Sequence, residues 1–171
     1  MDPEQLKEIL LNNLSKETKK WAANICVKQP AMLEQAWLWL KTADDPLKWR
    51  ACWIFEEVCI QHNNIKKQYI EKVAKLYTKT SHESLQRMLG KILTSTNVPD
   101  DYESIILNTA FERFQDPQKA IAVRVHAMQI AFNLVKKYPD LKNELKSTIQ
   151  HYYDTGSSGF KSRAGKLLAQ L

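Results

Sequence analysis

Four short segments of this chain recur in the same register, and no other feature restricts its fold as much. They are Trp49-Arg50-Ala51-Cys52-Trp53-Ile54-Phe55, Gln86-Arg87-Met88-Leu89-Gly90-Lys91-Ile92, Val123-Arg124-Val125-His126-Ala127-Met128-Gln129 and Ser162-Arg163-Ala164-Gly165-Lys166-Leu167-Leu168. Their arginines stand 37, 37 and 39 residues apart. Spacing of that size marks a repeat in which each copy is one supersecondary unit, too small to bury its own apolar face and therefore stacked on its neighbours. The stretch beginning at Lys20-Trp21-Ala22-Ala23 reads as a more divergent copy.

Between the arginine segments lie further apolar patterns: Leu33/Ala36/Trp37/Leu40, Tyr69/Val73/Leu76/Tyr77, Leu107/Ala110/Phe111/Phe114 and Leu141/Leu145/Ile149/Tyr152. Spacings of three and four residues place each set on one face of a helix. Each arginine segment also follows a cluster able to start a helix, because a short oxygen-bearing side chain there can accept from unpaired first-turn amides. The candidates are Ser15, Asp44 with Asp45 and Pro46, Ser81, Asp116 with Pro117, and Ser157 with Ser158. The unit is thus a helix pair, and the pairs are expected at about 3–27, 30–61, 65–95, 100–137 and 140–171. Loops near Asn63-Asn64, Thr96-Asn97-Val98-Pro99 and Tyr138-Pro139 separate them, and none resembles a flexible interdomain linker. The fold class is all-α: about five antiparallel helix pairs in a right-handed α-α superhelix, one domain over residues 1–171.

Composition agrees where it bears on this. Four glycines and six prolines leave too little turn chemistry for an all-β fold with many hairpins. The amino terminus carries acids and no long apolar run, unlike a secretory signal, and no segment approaches the length of a membrane span. Cys26, Cys52 and Cys59 sit in apolar helical stretches, where reduced core thiols are expected rather than a disulfide framework. The expected setting is the cytoplasm, with no membrane association. A net charge of +6 could attract nucleic acid or an acidic protein, but long-range charge alone names no partner.

The block Asp44-Asp45-Pro46-Leu47-Lys48-Trp49-Arg50-Ala51-Cys52-Trp53-Ile54-Phe55-Glu56-Glu57-Val58-Cys59 and the closing Phe160-Lys161-Ser162-Arg163-Ala164-Gly165-Lys166-Leu167-Leu168 resemble a family of short HEAT-like proteins from Bacteroidetes. That resemblance implies an α-α superhelix of bacterial origin and no established activity. Some members carry the label adenylosuccinate lyase. The chain lacks the Ser-Ser-x-Met-Pro-type loop of those lyases and is too short for their helical bundle. In HEAT repeats generally the second helix of each pair lines the concave side, and its arginine often bonds a turn acid.

Placed on a wheel of about 100° per residue, the arginines separate. Arg124 falls among Ile121, Val125, Met128, Ala131 and Val135, an apolar stripe in which a guanidinium needs a partner. It is read as structural, as is Arg163. Arg87 lies with Gly90, Lys91 and Thr94, opposite the apolar face, and is expected to meet solvent and ligand. Arg50 shares a stripe with Trp53 and Glu57. A ring, a guanidinium and a carboxylate on one side could stack on and hydrogen-bond a ligand, or could be a packed tryptophan beside a paired glutamate. Small residues in the same stripe, Gly90, Thr94, Ala127 and Ala131, leave either a groove or a close helix approach. The candidate ligand residues are Arg50, Trp53, Glu57, Arg87, Lys91 and Lys166.

Catalytic patterns are missing. His62, His82, His126 and His151 lie on different elements, and the chain has no zinc spacing, phosphate loop or nucleophile elbow. The sequence therefore points to a monomeric, non-catalytic binding module without cofactor or metal, whose concave face receives a protein or peptide. The competing reading is a nucleic-acid-binding protein related to the HEAT-like alkylpurine DNA glycosylases, motivated by the basic charge with Arg50, Trp53 and Glu57. The chain lacks the Trp-x-x-Val-Asp-like signature of those enzymes. A continuous basic groove of Arg50, Arg87, Lys91, Arg124 and Lys166 would favour nucleic acid.

Overall fold

A computed structural model describes all 171 residues. It contains ten α-helices and no strand: α1 (Pro3–Asn12), α2 (Lys16–Lys28), α3 (Pro30–Thr42), α4 (Leu47–Gln61), α5 (Asn63–Lys79), α6 (Glu83–Leu93), α7 (Asp100–Gln115), α8 (Ile121–Val135), α9 (Lys142–Tyr153) and α10 (Ser158–Leu168). A 3₁₀ turn, Pro139–Leu141, leads into α9. Ten helices in succession make the all-α helical repeat that the arginine register implies, and α3 packs on α4, α7 on α8 and α9 on α10.

The helix starts obey local chemistry in only part of the chain. Asp2 accepts from the Gln5 amide at 2.9 Å while the Gln5 side chain returns the bond to the Asp2 amide, a reciprocal cap reinforced by Pro3. Ser15 caps α2 through the Thr18 amide, and Ser157 caps α10 through the Phe160 amide. The other expected caps do not act. Asp116 accepts from Gln118 in a turn of its own, and α8 starts only at Ile121, after Ala120. The Ala120 amide is instead taken by Glu83 of α6 at 3.2 Å. Pro46, joined to Asp45 by a cis peptide bond, precedes α4, and His82 rather than Ser81 precedes α6. The expected loop at Asn63-Asn64 is also absent: α5 begins at Asn63, so His62 alone separates it from α4.

The helices gather into two compact units, Met1–Tyr69 and Ile70–Leu171, with the boundary inside α5. In the first, α4 is the central element, contacted by α1, α2 and α3. Its sequence is apolar almost all round, as a helix surrounded by others requires. Ala51, Cys52, Ile54, Phe55, Val58 and Cys59 are all fully buried. Trp37, Phe55 and Tyr69 form a three-ring cluster with centroids 4.9 to 5.5 Å apart. Each ring adds about 0.5–1.5 kcal/mol beyond its burial through such tilted contacts. The Tyr69 hydroxyl donates to Glu34, and burial together with that carboxylate raises its pKa. Burial pushes the Cys26 and Cys59 thiols up to about 12, leaving them protonated and unreactive.

In the second unit α8 holds the central place, packed against α6, α7, α9 and α10. Gly90 of α6 serves that packing. A Cβ there would lie 3.3 Å from the His126 Cβ and 3.3 Å from a Tyr77 ring carbon. The small stripe is thus a close helix approach at this position rather than an open groove.

Candidate functional site

The expected ligand residues divide between the units: Arg50, Trp53 and Glu57 in the first, Arg87, Lys91 and Lys166 in the second. The two sets have different surroundings.

On α4 the stripe is engaged within its own unit. Nη1 of Arg50 donates to the carbonyls of Leu10 and Leu11, each at 2.6 Å, at the carboxyl end of α1. Carbonyls there have no intrahelical donor and carry the negative end of the helix dipole, so a guanidinium satisfies both demands. The same guanidinium lies over the Trp49 ring at 5.3 Å, and Trp49 packs against Trp53 with centroids 6.4 Å apart. Glu57 receives Lys19 on one oxygen at 2.8 Å and Gln61 on the other at 2.6 Å. Burial pushes the Glu57 carboxyl up, but the Lys19 hydrogen bond and charge outweigh it and hold the pKa below the usual carboxylate value. Lys19 is itself buried, 3.9 Å from Glu56 and 5.2 Å from the centre of the Trp53 ring. Sequence reasoning missed Lys19, although a lysine between Thr18 and the Ala22-Ala23-Cys26 face sits where charge is unexpected.

The second unit contains two buried arginines. Nε of Arg124 donates to the Phe114 carbonyl at 2.9 Å, and its guanidinium lies 4.4 Å from the centre of the Phe160 ring. Desolvation lowers its pKa, with Asp116 opposing. Arg113 of α7 lay outside the repeat register and was not expected to matter. Its Nη2 donates to the carbonyls of Tyr77 at 2.7 Å and Thr80 at 3.0 Å, and it covers the Tyr77 ring at 4.1 Å. The signal that could have found it is the one that marked Arg124, a guanidinium in the apolar stripe of Ile106, Ala110 and Phe114. Arg50, Arg113 and Arg124 all bond main-chain carbonyls at or near a helix carboxyl end, not the turn acids expected of HEAT arginines. The basic groove that included Arg50 and Arg124 loses both of them to this role.

The remaining candidate cations lie on the second helices of this unit. Arg87 and Lys91 flank Gly90 on α6, and both are half-buried, so Arg87 does not stand free in solvent as the wheel suggested. His126 of α8 rests against Gly90. Burial, followed by the charges of Lys91, Arg163 and Arg87, pushes the His126 imidazole down to about 4. Arg163 of α10 donates through Nη1 to Gln129 at 2.9 Å. Gln129 donates to Asn133 at 2.9 Å, and Asn133 donates to the Thr94 carbonyl at 3.0 Å. This relay crosses from α10 over α8 to the end of α6. At its far end, Thr94, Thr96, Asn97, Asn133 and Lys136 line a cleft of about 350 Å³. Lys166 is exposed on α10.

No group of three His, Cys, Asp or Glu side chains is placed to hold a metal ion, and no helix is long and apolar enough to cross a membrane. Neither the curated proteins nor the solved structures offer a match to the chain. A family model described as the HEAT repeat domain matches residues 6–171. The arginine register, the ten helices without a strand and that match agree: this chain belongs to the HEAT repeat domain family.

Proposed function

We propose that the chain is a non-catalytic interaction module that binds a protein or peptide on the face presented by the second helices of its repeats. One observation carries this reading: α6, α8 and α10 lie in contact through α8 and are crossed by the Arg163–Gln129–Asn133–Thr94 relay. Polar side chains held across three successive repeats give a surface longer than any one helix, which suits an extended ligand. Arg87, Lys91 and Lys166 are the ligand residues of this proposal, with Arg124 and Arg163 as supports.

In the first unit the same position of the repeat favours structure over recognition. Arg50 is committed to two carbonyls, and both oxygens of Glu57 have donors. Trp53 packs against Trp49 and carries the Lys19 ammonium over its ring. The kinship with alkylpurine DNA glycosylases finds no support, and the carboxylate that motivated it is already neutralised. Absence of catalysis, monomeric state and kinship with the short HEAT-like proteins of Bacteroidetes belong to the same proposal. So does a cytoplasmic location, which is supported by three buried, unbridged cysteines.

Selection of displayed random peptides on the immobilised full-length chain tests the reading. Peptides should emerge whose binding to the purified chain is lost when Arg87 is changed to Ala. Failure to select any such peptide would remove the proposal.

A further inference from the structure

We infer that the face formed by α6, α8 and α10 is a docking site for an acidic segment of a partner protein. The inference rests on the reading of this face as a peptide-binding surface and adds the chemistry of the ligand.

The charges on these helices are one-sided. Together α6, α8 and α10 carry Arg87, Lys91, Arg124, Lys161, Arg163 and Lys166. Their single acid, Glu83, lies in the first turn of α6 and is held by the Ala120 amide. The acids of this unit concentrate elsewhere, with Asp100, Asp101, Glu103 and Glu112 all on the first helix α7. Within that basic set Arg124 is turned inward to Phe114. Arg87 and Lys91 stand one turn apart on α6 and flank Gly90, which packs against His126 of α8, and Arg163 of α10 reaches Gln129, one turn beyond His126. His126 is neutral near pH 7, so it brings no further charge and offers ring nitrogens to a ligand. A carboxylate brought to this one-sided set of cations gains charge-assisted hydrogen bonds.

Two features select a peptide over a nucleic acid strand. Apart from His126, the aromatic side chains of these three helices, Phe132 and Phe160, are buried, so no phenyl, phenol or indole ring is presented for a base to stack on, and base stacking supplies much of single-strand affinity. Beside the relay stands the side-chain amide of Asn97, and the amides of Gln129 and Asn133 each keep a second N–H and a second oxygen lone pair beyond the relay, groups that pair with a peptide main chain. The patch also ends at acids. Lys137, just beyond the carboxyl end of α8, is bound by Glu103 and lies 3.5 Å from Asp100, so the positive surface does not continue as a long phosphate track.

Fluorescence anisotropy of the full chain with four labelled probes of equal length tests this: a glutamate-rich peptide, a glutamine-rich peptide, a lysine-rich peptide and an oligodeoxythymidine. The glutamate-rich peptide should bind about tenfold or more tighter than the glutamine-rich one, and its affinity should fall as salt is raised. Arg87→Gln and Lys166→Gln should each weaken it about fivefold, the loss of one charge-assisted contact, while Lys75→Gln on α5 stays within about twofold. Helicity and denaturant midpoints of all three variants are measured alongside. Arg87→Gln leaves the Arg163–Gln129 bond intact and so separates loss of contact from loss of fold. Equal losses from Lys75→Gln and Arg87→Gln would reduce the effect to net charge and overturn the inference. Tighter binding of the glutamine- or lysine-rich peptide would overturn the acidic chemistry and leave the peptide-binding reading standing. Preference for the oligodeoxythymidine would remove both. Binding of no probe would overturn the acidic site, and the display experiment would then judge the broader reading by itself.

Discussion

Arg124 and Arg87 occupy the same place in consecutive repeats, yet their guanidinium groups end in different surroundings. Arg124 is buried, bonded to the Phe114 carbonyl and stacked on Phe160. Arg124→Ala removes the donor, leaves a buried carbonyl unpaired and opens a void, and should cost about 2–3 kcal/mol. Half-buried Arg87 contributes mainly charge, and Arg87→Ala should stay within about 1 kcal/mol of the parent protein. Denaturant midpoints at constant slope measure both, and equal losses would make the two arginines one structural ladder. His126 gives a second test at this scale. Its pKa falls from 6.5 in the unfolded chain to about 4 in the folded one. Between those values the unfolded state binds more protons, so stability rises with pH and is lost as pH falls from 6.5 towards 4. With partial exposure allowed for, that loss should be about 2 kcal/mol. The depressed carboxyls Glu57 and Glu103 contribute stability that disappears only at lower pH, below the ordinary carboxylate value of 4.5. His126→Asn should therefore flatten the stability profile between pH 5 and 6.5, as read from urea midpoints at each pH.

At the scale of elements, α4 and α8 organise the units because both are apolar nearly all round and are covered on several sides. The last pair illustrates the dependence. Phe160, Ala164 and Leu167 of α10 are fully buried, and α10 packs on α8, where Phe160 covers Arg124. Removal of residues 140–171 takes away that cover, exposing the apolar flank of α8 together with a guanidinium. The truncated chain should aggregate or lose helix, because terminal repeats shield the core of the repeat before them. Light scattering and circular dichroism on the truncated chain check this. A monomeric, fully helical product would show that α8 closes its core without α10.

At the scale of the whole molecule, we propose that residues 1–171 unfold as one cooperative domain. In support, the helix α5 runs unbroken through the boundary between the compact units, and the family match extends over both. The distribution of chromophores makes this measurable. All five tryptophans and all three cysteines lie in Met1–Tyr69, so tryptophan emission and thiol labelling report that unit alone. Far-ultraviolet circular dichroism reports every helix. Under two-state unfolding the three midpoints should coincide. Earlier loss of one signal would divide the chain into two folding units.

The amino-acid sequence by itself determined the helices, their pairing and the repeat, since apolar periodicity and arginine spacing are local properties. It also placed the caps that act within three residues, Ser15 on Thr18 and Ser157 on Phe160. It did not place the start of α8, because the amide of Ala120 is satisfied by Glu83, 37 residues earlier in the chain. The same limit applies to the candidate site. A helical wheel gives the direction of a Cβ, whereas a guanidinium sits at the end of a long flexible stem and goes where unsatisfied acceptors are. For Arg50 these are carbonyls about forty residues away on α1, for Arg113 carbonyls at the end of α5, and for Arg124 one at the end of α7. Only the packing of helices brings those acceptors within reach. It therefore decided which cations are used up on main-chain carbonyls inside the protein.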